Sequence, residues 1–256
     1  MRGILTGCVA LAVAMAMIAV AGAGFAAEPS QAIGKAVGSA ARSEADVQRD
    51  AGRKPAEVLA FFGIEPGMKV ADLVAGGGYY SDILCRVVGP EGKVWIHNNE
   101  YVLDKFGKFI NPALEKRLAQ PELAHCARLD TELDSTGLPD GSLDAVLMVL
   151  WYHDSFWHPL DRGKMNAEIL RVLKPGGTFG VVDHHAEAGS GARDVKTIHR
   201  MDAKLAKDDI VAAGFEFVAE TEVLRNAEDD HTKNVFDPSI RGKTDRFVYK
   251  FRKPDA

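Results

Sequence analysis

Cysteine is scarce in this chain of 256 residues: there are three, and only Cys85 and Cys126 lie beyond the apolar N-terminal stretch. So few exclude a scaffold built on disulfides, which needs several bridges to stand in for a core. Cys85 reads as part of a helix and Cys126 as the start of a strand. They are either one disulfide or two buried, unpaired thiols. An excess of basic residues is also missing. The 31 Lys and Arg against 36 Asp and Glu leave a net charge of −5, which argues against a general nucleic-acid surface. There is no internal repeat and no second domain, and 46% hydrophobic content suffices for one substantial core. No histidine, cysteine or carboxylate spacing matches a metal motif, so no residue is assigned to a metal.

What the N-terminus has is a short positive region, an apolar run and then small residues. Met1, Arg2 and Gly3 precede residues 4–20, followed by Ala21, Gly22, Ala23 and Gly24. That order predicts a signal peptide over residues 1–26. Cleavage after Ala26 places Gly24 and Ala26 at the two small-residue positions. An uncleaved membrane anchor is the competing reading, because the run is nearly long enough to span a bilayer. Either one puts the folded part outside the cytoplasm, periplasmic or secreted, with no membrane contact beyond this segment. Residues 27–43, rich in Ala, Gly and Ser, read as a flexible leader to a domain over 44–256.

Within that domain, apolar runs alternate with helical periodicity. Strands are expected over 70–74, 94–97, near 127–129, 145–150 and 178–182. Helices are expected from 43, with Pro55 opening a new one, and then over 80–88, 102–109, 112–119, 162–173 and 204–213. The helix over 162–173 is expected to stop at Lys174-Pro175-Gly176-Gly177. A last strand pair, 215–222 and 247–251, has no helix between its members. Unbroken apolar strands separated by helices imply an α/β fold: a doubly wound, mostly parallel sheet covered on both faces, with an antiparallel C-terminal strand. The stretch 226–245 lacks periodicity and reads as an ordered, lid-like loop, since loops this long are usually functional.

Three segments carry chemistry. DLVAGGG, residues 72–78, ends a strand in glycines that permit positive φ and close approach of a ligand. LPDGSLDAV, residues 138–146, leads into the fourth strand, and ILRVLKPGGTFGVVD, residues 169–183, spans a helix, a turn and the fifth. With these in place, the chain from about residue 57 onward resembles the class I S-adenosylmethionine-dependent methyltransferases, and is similar to a group of exported bacterial members. Two departures stand out: Val74 where the family usually has its first loop glycine, and Asn98 where it commonly has a ribose-binding acid, with Glu100 two residues on.

The resemblance implies a Rossmann-like fold, S-adenosyl-L-methionine as cofactor and a small-molecule acceptor. It implies that Asp72, Gly76, Gly77, Gly78 and Asn98 hold the methionine and ribose parts, and that Asp130 or Glu132 lies near the adenine. Ligands of such sheets lie beyond the carboxyl ends of the strands. His153 is therefore the first candidate acceptor-side base, and His184 or His185 the second. Tyr80, Tyr152, Arg53 and His231 are candidate substrate contacts, with Arg53 suited to an anionic acceptor. Asp154, Asp183, His184, His185 and His231 offer oxygen and imidazole groups, but adjacent histidines on a strand point to opposite sides. A non-catalytic binding protein of the same fold, or a metal-assisted enzyme of another class, are the alternatives.

Overall fold

The computed structural model describes residues 28–255; the expected signal segment and its cleavage site lie outside the described residues. Seven strands form one sheet in the order β3-β2-β1-β4-β5-β7-β6. They are β1 (Lys69–Leu73), β2 (Lys93–His97), β3 (Cys126–Leu129), β4 (Leu143–Val149), β5 (Leu173–His184), β6 (Glu216–Thr221) and β7 (Arg246–Arg252). The first five pair in parallel, and β7 lies antiparallel between β5 and β6. In β4, residues 145–148 are buried on both faces, as a parallel strand between helical layers requires. Strand order reverses between β1 and β4, so the crevice of this fold opens beyond their carboxyl ends.

The helices are α1 (Gln31–Val37), α2 (Glu44–Arg53), α3 (Pro55–Phe62), α4 (Tyr79–Val88), α5 (Glu100–Leu118), α6 (Arg162–Val172) and α7 (Ala203–Ala212). Three expectations need correction. The supposed flexible leader contains α1, capped by Ser30 and anchored by the buried Ile33 and Ala36. The two segments expected over 102–119 are one helix, α5, which carries Pro112 inside it. The Lys174-Pro175-Gly176-Gly177 turn is taken up in the long strand β5, where Leu173 already pairs with Leu143 and the register shifts before Ala145 pairs with Thr178.

Cys85 of α4 and Cys126 of β3 are joined in a disulfide, which resolves the two readings of that pair. Residues 226–245 form no helix or strand and are largely exposed, but Asp229, Val235, Thr244 and Asp245 are buried and tie the loop to the domain. Asp229 takes both guanidinium nitrogens of the buried Arg200, at 2.9 and 3.0 Å. A Cβ on Gly52 of α2 would meet the Gly242 carbonyl oxygen at 2.4 Å, so helix and loop touch backbone to backbone.

Candidate functional site

The loop after β1 is braced from several directions. Val74 has φ of +51°, in the left-handed region where glycine is at ease and a β-branched residue is strained. Its N–H donates to Nδ1 of the buried His97 at 3.4 Å. Asn98 accepts from Gly76 N–H at 2.8 Å and donates to the Gly76 carbonyl at 3.1 Å. The Asn98 side chain is thus spent on the loop rather than offered to a ribose, and the expected role changes accordingly. The three glycines also divide. A Cβ at Gly76 would meet nothing within 4 Å, whereas at Gly77 and Gly78 it would meet Ala113, Leu114 and Arg117 of α5. Gly76 faces open space, and the other two are small so that α5 can approach.

Helix α2 is fastened above this loop by ion pairs. Arg117 donates to the Gly77 carbonyl at 2.7 Å and to Asp46 at 2.5 Å. Arg42 holds Asp50 through both carboxylate oxygens, and Asp50 accepts from the Tyr79 hydroxyl at 2.6 Å. Burial works against the charge on Asp46, but Arg117 and Arg49 hold its carboxyl below the usual range. Asp72 is buried beside Ser81, whose hydroxyl donates to it at 2.6 Å. Burial raises its pKa to about 6. The Tyr80 hydroxyl donates to the Arg53 carbonyl, so this expected substrate contact ties α2 to α4.

Beyond β4 and β5 the histidines have separate fates. A short 3-10 helix, Tyr152–Phe156, follows β4. His153 is buried, with Nδ1 2.8 Å from Asp183 Oδ1 and Nε2 3.1 Å from Asp154 Oδ1. Burial opposes its charge, but Asp183 and Asp154 outweigh burial and lift its pKa to about 10. With a carboxylate against each ring nitrogen and no place in the cavity wall to which His184 belongs, His153 is less well placed than His184 to act as a general base. His184 has the opposite setting: burial first, then His153 and nearby arginines, push its pKa well down. Its Nδ1 lies 2.8 Å from Thr244 Oγ1.

His184 lines a cavity of about 650 Å³ between α2, the strand ends and the 226–245 loop. Its charged wall consists of Arg49, Arg53, Arg241, Lys243 and Arg246, with no Asp or Glu, and Leu150, Val235 and Phe236 form an apolar part. Arg53 lies over the Tyr79 ring at 4.6 Å and forms no ion pair among the described residues. Arg246 is buried and donates only to carbonyls, those of Thr244 and Gly52. Burial lowers the pKa of both arginines.

Besides Tyr80, two expected substrate contacts are not brought to this cavity. Tyr152 is fully buried and donates to Asp209 of α7 at 2.7 Å, tying that helix to the 3-10 turn. His231 bonds Asp245 at 3.0 Å and lines a separate cavity with Arg193 and Asp194. His185 packs edge-on against Phe247, and burial pulls its pKa to about 4. Asp130 pairs with Arg128 at 2.6 Å, and Glu132 accepts from Glu100 N–H. His199 and Arg246 had escaped the sequence reading. His199 sits in an irregular segment with no periodicity to flag it, and Arg246 opens a strand whose pattern speaks only of burial.

Comparison with known proteins gives this geometry a context. The family described as "Methyltransferase domain" matches residues 72–181. The ubiquinone/menaquinone biosynthesis C-methyltransferase UbiE of Shewanella halifaxensis is 24% identical over 181 residues, 68% of this chain and 66% of that protein. Sterol 24-C-methyltransferase of Yarrowia lipolytica is 30% identical over 138 residues, 52% of this chain and 33% of that protein. The matches thus span less than two thirds of these relatives. Among solved structures, an S-adenosylmethionine-dependent methyltransferase from Aquifex aeolicus shares 20% identity and a TM-score of 0.56, covering 80% of this chain and 97% of that one. The [4+2]-cyclase SpnF reaches the same identity and TM-score over 82% of this chain and 83% of its own.

The fold is that of the S-adenosylmethionine-dependent methyltransferases among the solved structures, and residues 72–181 match a methyltransferase domain, so S-adenosylmethionine is the cofactor to test against the site. The residues at the strand ends fit it. Gly76 leaves open space at the end of β1. Just beyond β3, the buried Thr131 hydroxyl has no hydrogen-bond partner among the described residues. The departure is on the ribose side, where the Asn98 amide is already engaged.

Proposed function

From the methyltransferase domain that residues 72–181 carry, we propose that the chain is an exported S-adenosylmethionine-dependent methyltransferase whose acceptor is a small organic anion. The cofactor supplies an electrophilic methyl group when bound. Asp72, Gly76 and Thr131 would hold it along the ends of β1 and β3. Displacement at that methyl needs a nucleophile in line with it. The single observation that carries the acceptor class is the cavity wall: five cationic side chains and no carboxylate. Charges of one sign gathered in a cleft raise the local concentration of ligands of the other, and a planar guanidinium matches carboxylate and phosphate oxygens pairwise. Leu150, Val235 and Phe236 would take the apolar body of the acceptor.

His184 is the acceptor-side base in this reading. Its Nδ1 is engaged by Thr244, which leaves Nε2 to receive a proton. Export is supported by the signal-like N-terminus and by the Cys85–Cys126 disulfide, which an oxidising compartment lets persist. The activity is tested by calorimetry of the purified protein with S-adenosylhomocysteine. Saturable binding that Gly76→Asp abolishes supports the reading. Absence of binding at millimolar ligand leaves a binding protein of the same fold, a reading favoured by one observation: the missing ribose acid.

A further inference from the structure

Three side-chain atoms, two from the neighbouring residues His153 and Asp154 and one from the distant His199, meet behind the wall of the cavity. His153 Nε2, Asp154 Oδ1 and His199 Nδ1 are separated by 3.1, 3.2 and 3.2 Å. Such a near-equilateral triangle has a simple chemical meaning. Bonds of about 2.0–2.2 Å to one metal ion separate neighbouring nitrogen or oxygen ligands by roughly 3.0 Å at right angles, and roughly 3.4 Å at tetrahedral angles. The observed separations fall between these limits.

The surroundings orient the atoms toward a common centre. Asp183 accepts at His153 Nδ1, from 2.8 Å, and also from the His153 backbone N–H at 2.7 Å. A carboxylate on one imidazole nitrogen fixes the ring and turns the other nitrogen's lone pair to the ion, as around metal-bound histidines generally. Asp154 Oδ1 also accepts from Trp157 Nε1 at 2.9 Å, which fixes that carboxylate. His199 presents Nδ1 from a backbone with φ of +56°. Two imidazoles and one carboxylate suit a divalent first-row transition metal better than magnesium or calcium, which prefer oxygen.

We propose that His153, Asp154 and His199 form a binding site for one divalent transition-metal ion of the zinc or iron(II) type. The ion is a positioning element. His153 packs against His184 with ring centroids 6.1 Å apart, and His199 against Phe236 at 5.1 Å, and both partners line the cavity. Tying His199 to the end of β4 holds that wall in place. The site goes beyond the methyltransferase reading and stands whether or not that reading does.

The test uses the whole chain, purified without a polyhistidine tag, treated with chelator and titrated with zinc and cobalt(II) in the absence of any other ligand. The expected result is one ion per chain, with visible ligand-field absorption for cobalt. Asp154→Asn and His199→Ala should each weaken binding by roughly tenfold or more, and Asp183→Asn, which only orients a ligand, by roughly 10–100-fold. His125→Ala, whose ring bonds the Cys85 carbonyl elsewhere, should leave it unchanged. Asp154→Asn keeps the side-chain size and decides the matter if another variant fails to fold. Failure of the folded wild type to bind either ion overturns the proposal. So does binding that survives both ligand substitutions, or that falls equally with His125→Ala.

Discussion

Asn98 grips Gly76 at both of its backbone polar groups, accepting from the N–H at 2.8 Å and donating to the carbonyl at 3.1 Å. Asn98 itself is fully buried. An aspartate there accepts as well but has no donor, and would set a buried charge against the Gly76 carbonyl. Restoring the acid usual in the family is therefore expected to harm the loop rather than mend ribose binding. Asn98→Ala should cost about 1–3 kcal/mol, the usual penalty for stranding buried polar groups. Asn98→Asp should lower both stability and S-adenosylhomocysteine affinity. Urea unfolding and calorimetry read the two effects; an affinity gain in Asn98→Asp would show that the side chain turns to the ligand.

His97 supports the same loop and sets a pH dependence. Its Nε2 lies 2.9 Å from the Thr131 carbonyl, and Nδ1 accepts from Val74 N–H, so the neutral ring protonated on Nε2 satisfies both. Burial lowers its pKa from 6.5 to about 4. As pH falls below 6.5 the unfolded chain takes up a proton that the folded chain refuses. Stability is full above pH 6.5, is lost progressively below it, and the loss levels off near pH 4. Thermal unfolding from pH 7.5 to 4 should therefore fall more steeply for wild type than for His97→Gln. Parallel curves would remove His97 as the cause.

The Cys85–Cys126 bridge closes a separation of 41 residues. Loop-closure entropy for that length corresponds to about 4 kcal/mol of restraint on the unfolded chain. The doubly substituted Cys85→Ala, Cys126→Ala protein should lose stability of that order in denaturant unfolding, while wild type in reductant should approach it. Identical midpoints for oxidised and reduced wild type would mean the bridge does not form.

The sheet was legible because its strands are apolar without interruption. Residues 145–148 and 178–182 have one physical solution, burial on both faces between helices. What escaped was set by geometry that composition does not record. A leader of small residues reads as flexible, yet Ile33 and Ala36 suffice to seat a helix on the domain. The candidate site divides in the same way. Glycines at 76–78 announce a turn, but only coordinates separate Gly76, which faces space, from Gly77 and Gly78, which face α5. His153 and His184 lie at neighbouring strand ends and look alike in sequence. Two carboxylates charge one, and burial among cations discharges the other. Tyr152, polar and aromatic after β4, pointed to a pocket until its hydroxyl was found on Asp209.

Arg53 offers the most direct test of the anionic acceptor. It sits over the Tyr79 ring with no carboxylate paired to it, beside the buried Arg246, in a wall without acidic residues. A guanidinium left unpaired at low dielectric is costly to the free protein, and the cost is relieved when an anion arrives. Benzoate and phenyl phosphate should therefore bind the protein saturated with S-adenosylhomocysteine, and neutral benzyl alcohol should not. Charged hydrogen bonds contribute roughly 1.5–3 kcal/mol each, so Arg53→Gln should weaken benzoate by about tenfold or more, with Arg53→Lys between. Among the described residues Arg53 forms no ion pair, so the substitution should not lower the unfolding midpoint. Saturating the cofactor subsite beforehand separates the two anions that could claim the charge. If Arg53→Gln weakens S-adenosylhomocysteine but leaves benzoate untouched, the charge serves the methionine carboxylate and the acceptor class is wrong. Equal affinity for benzyl alcohol and benzoate would also refute it, since shape alone would then account for the cavity.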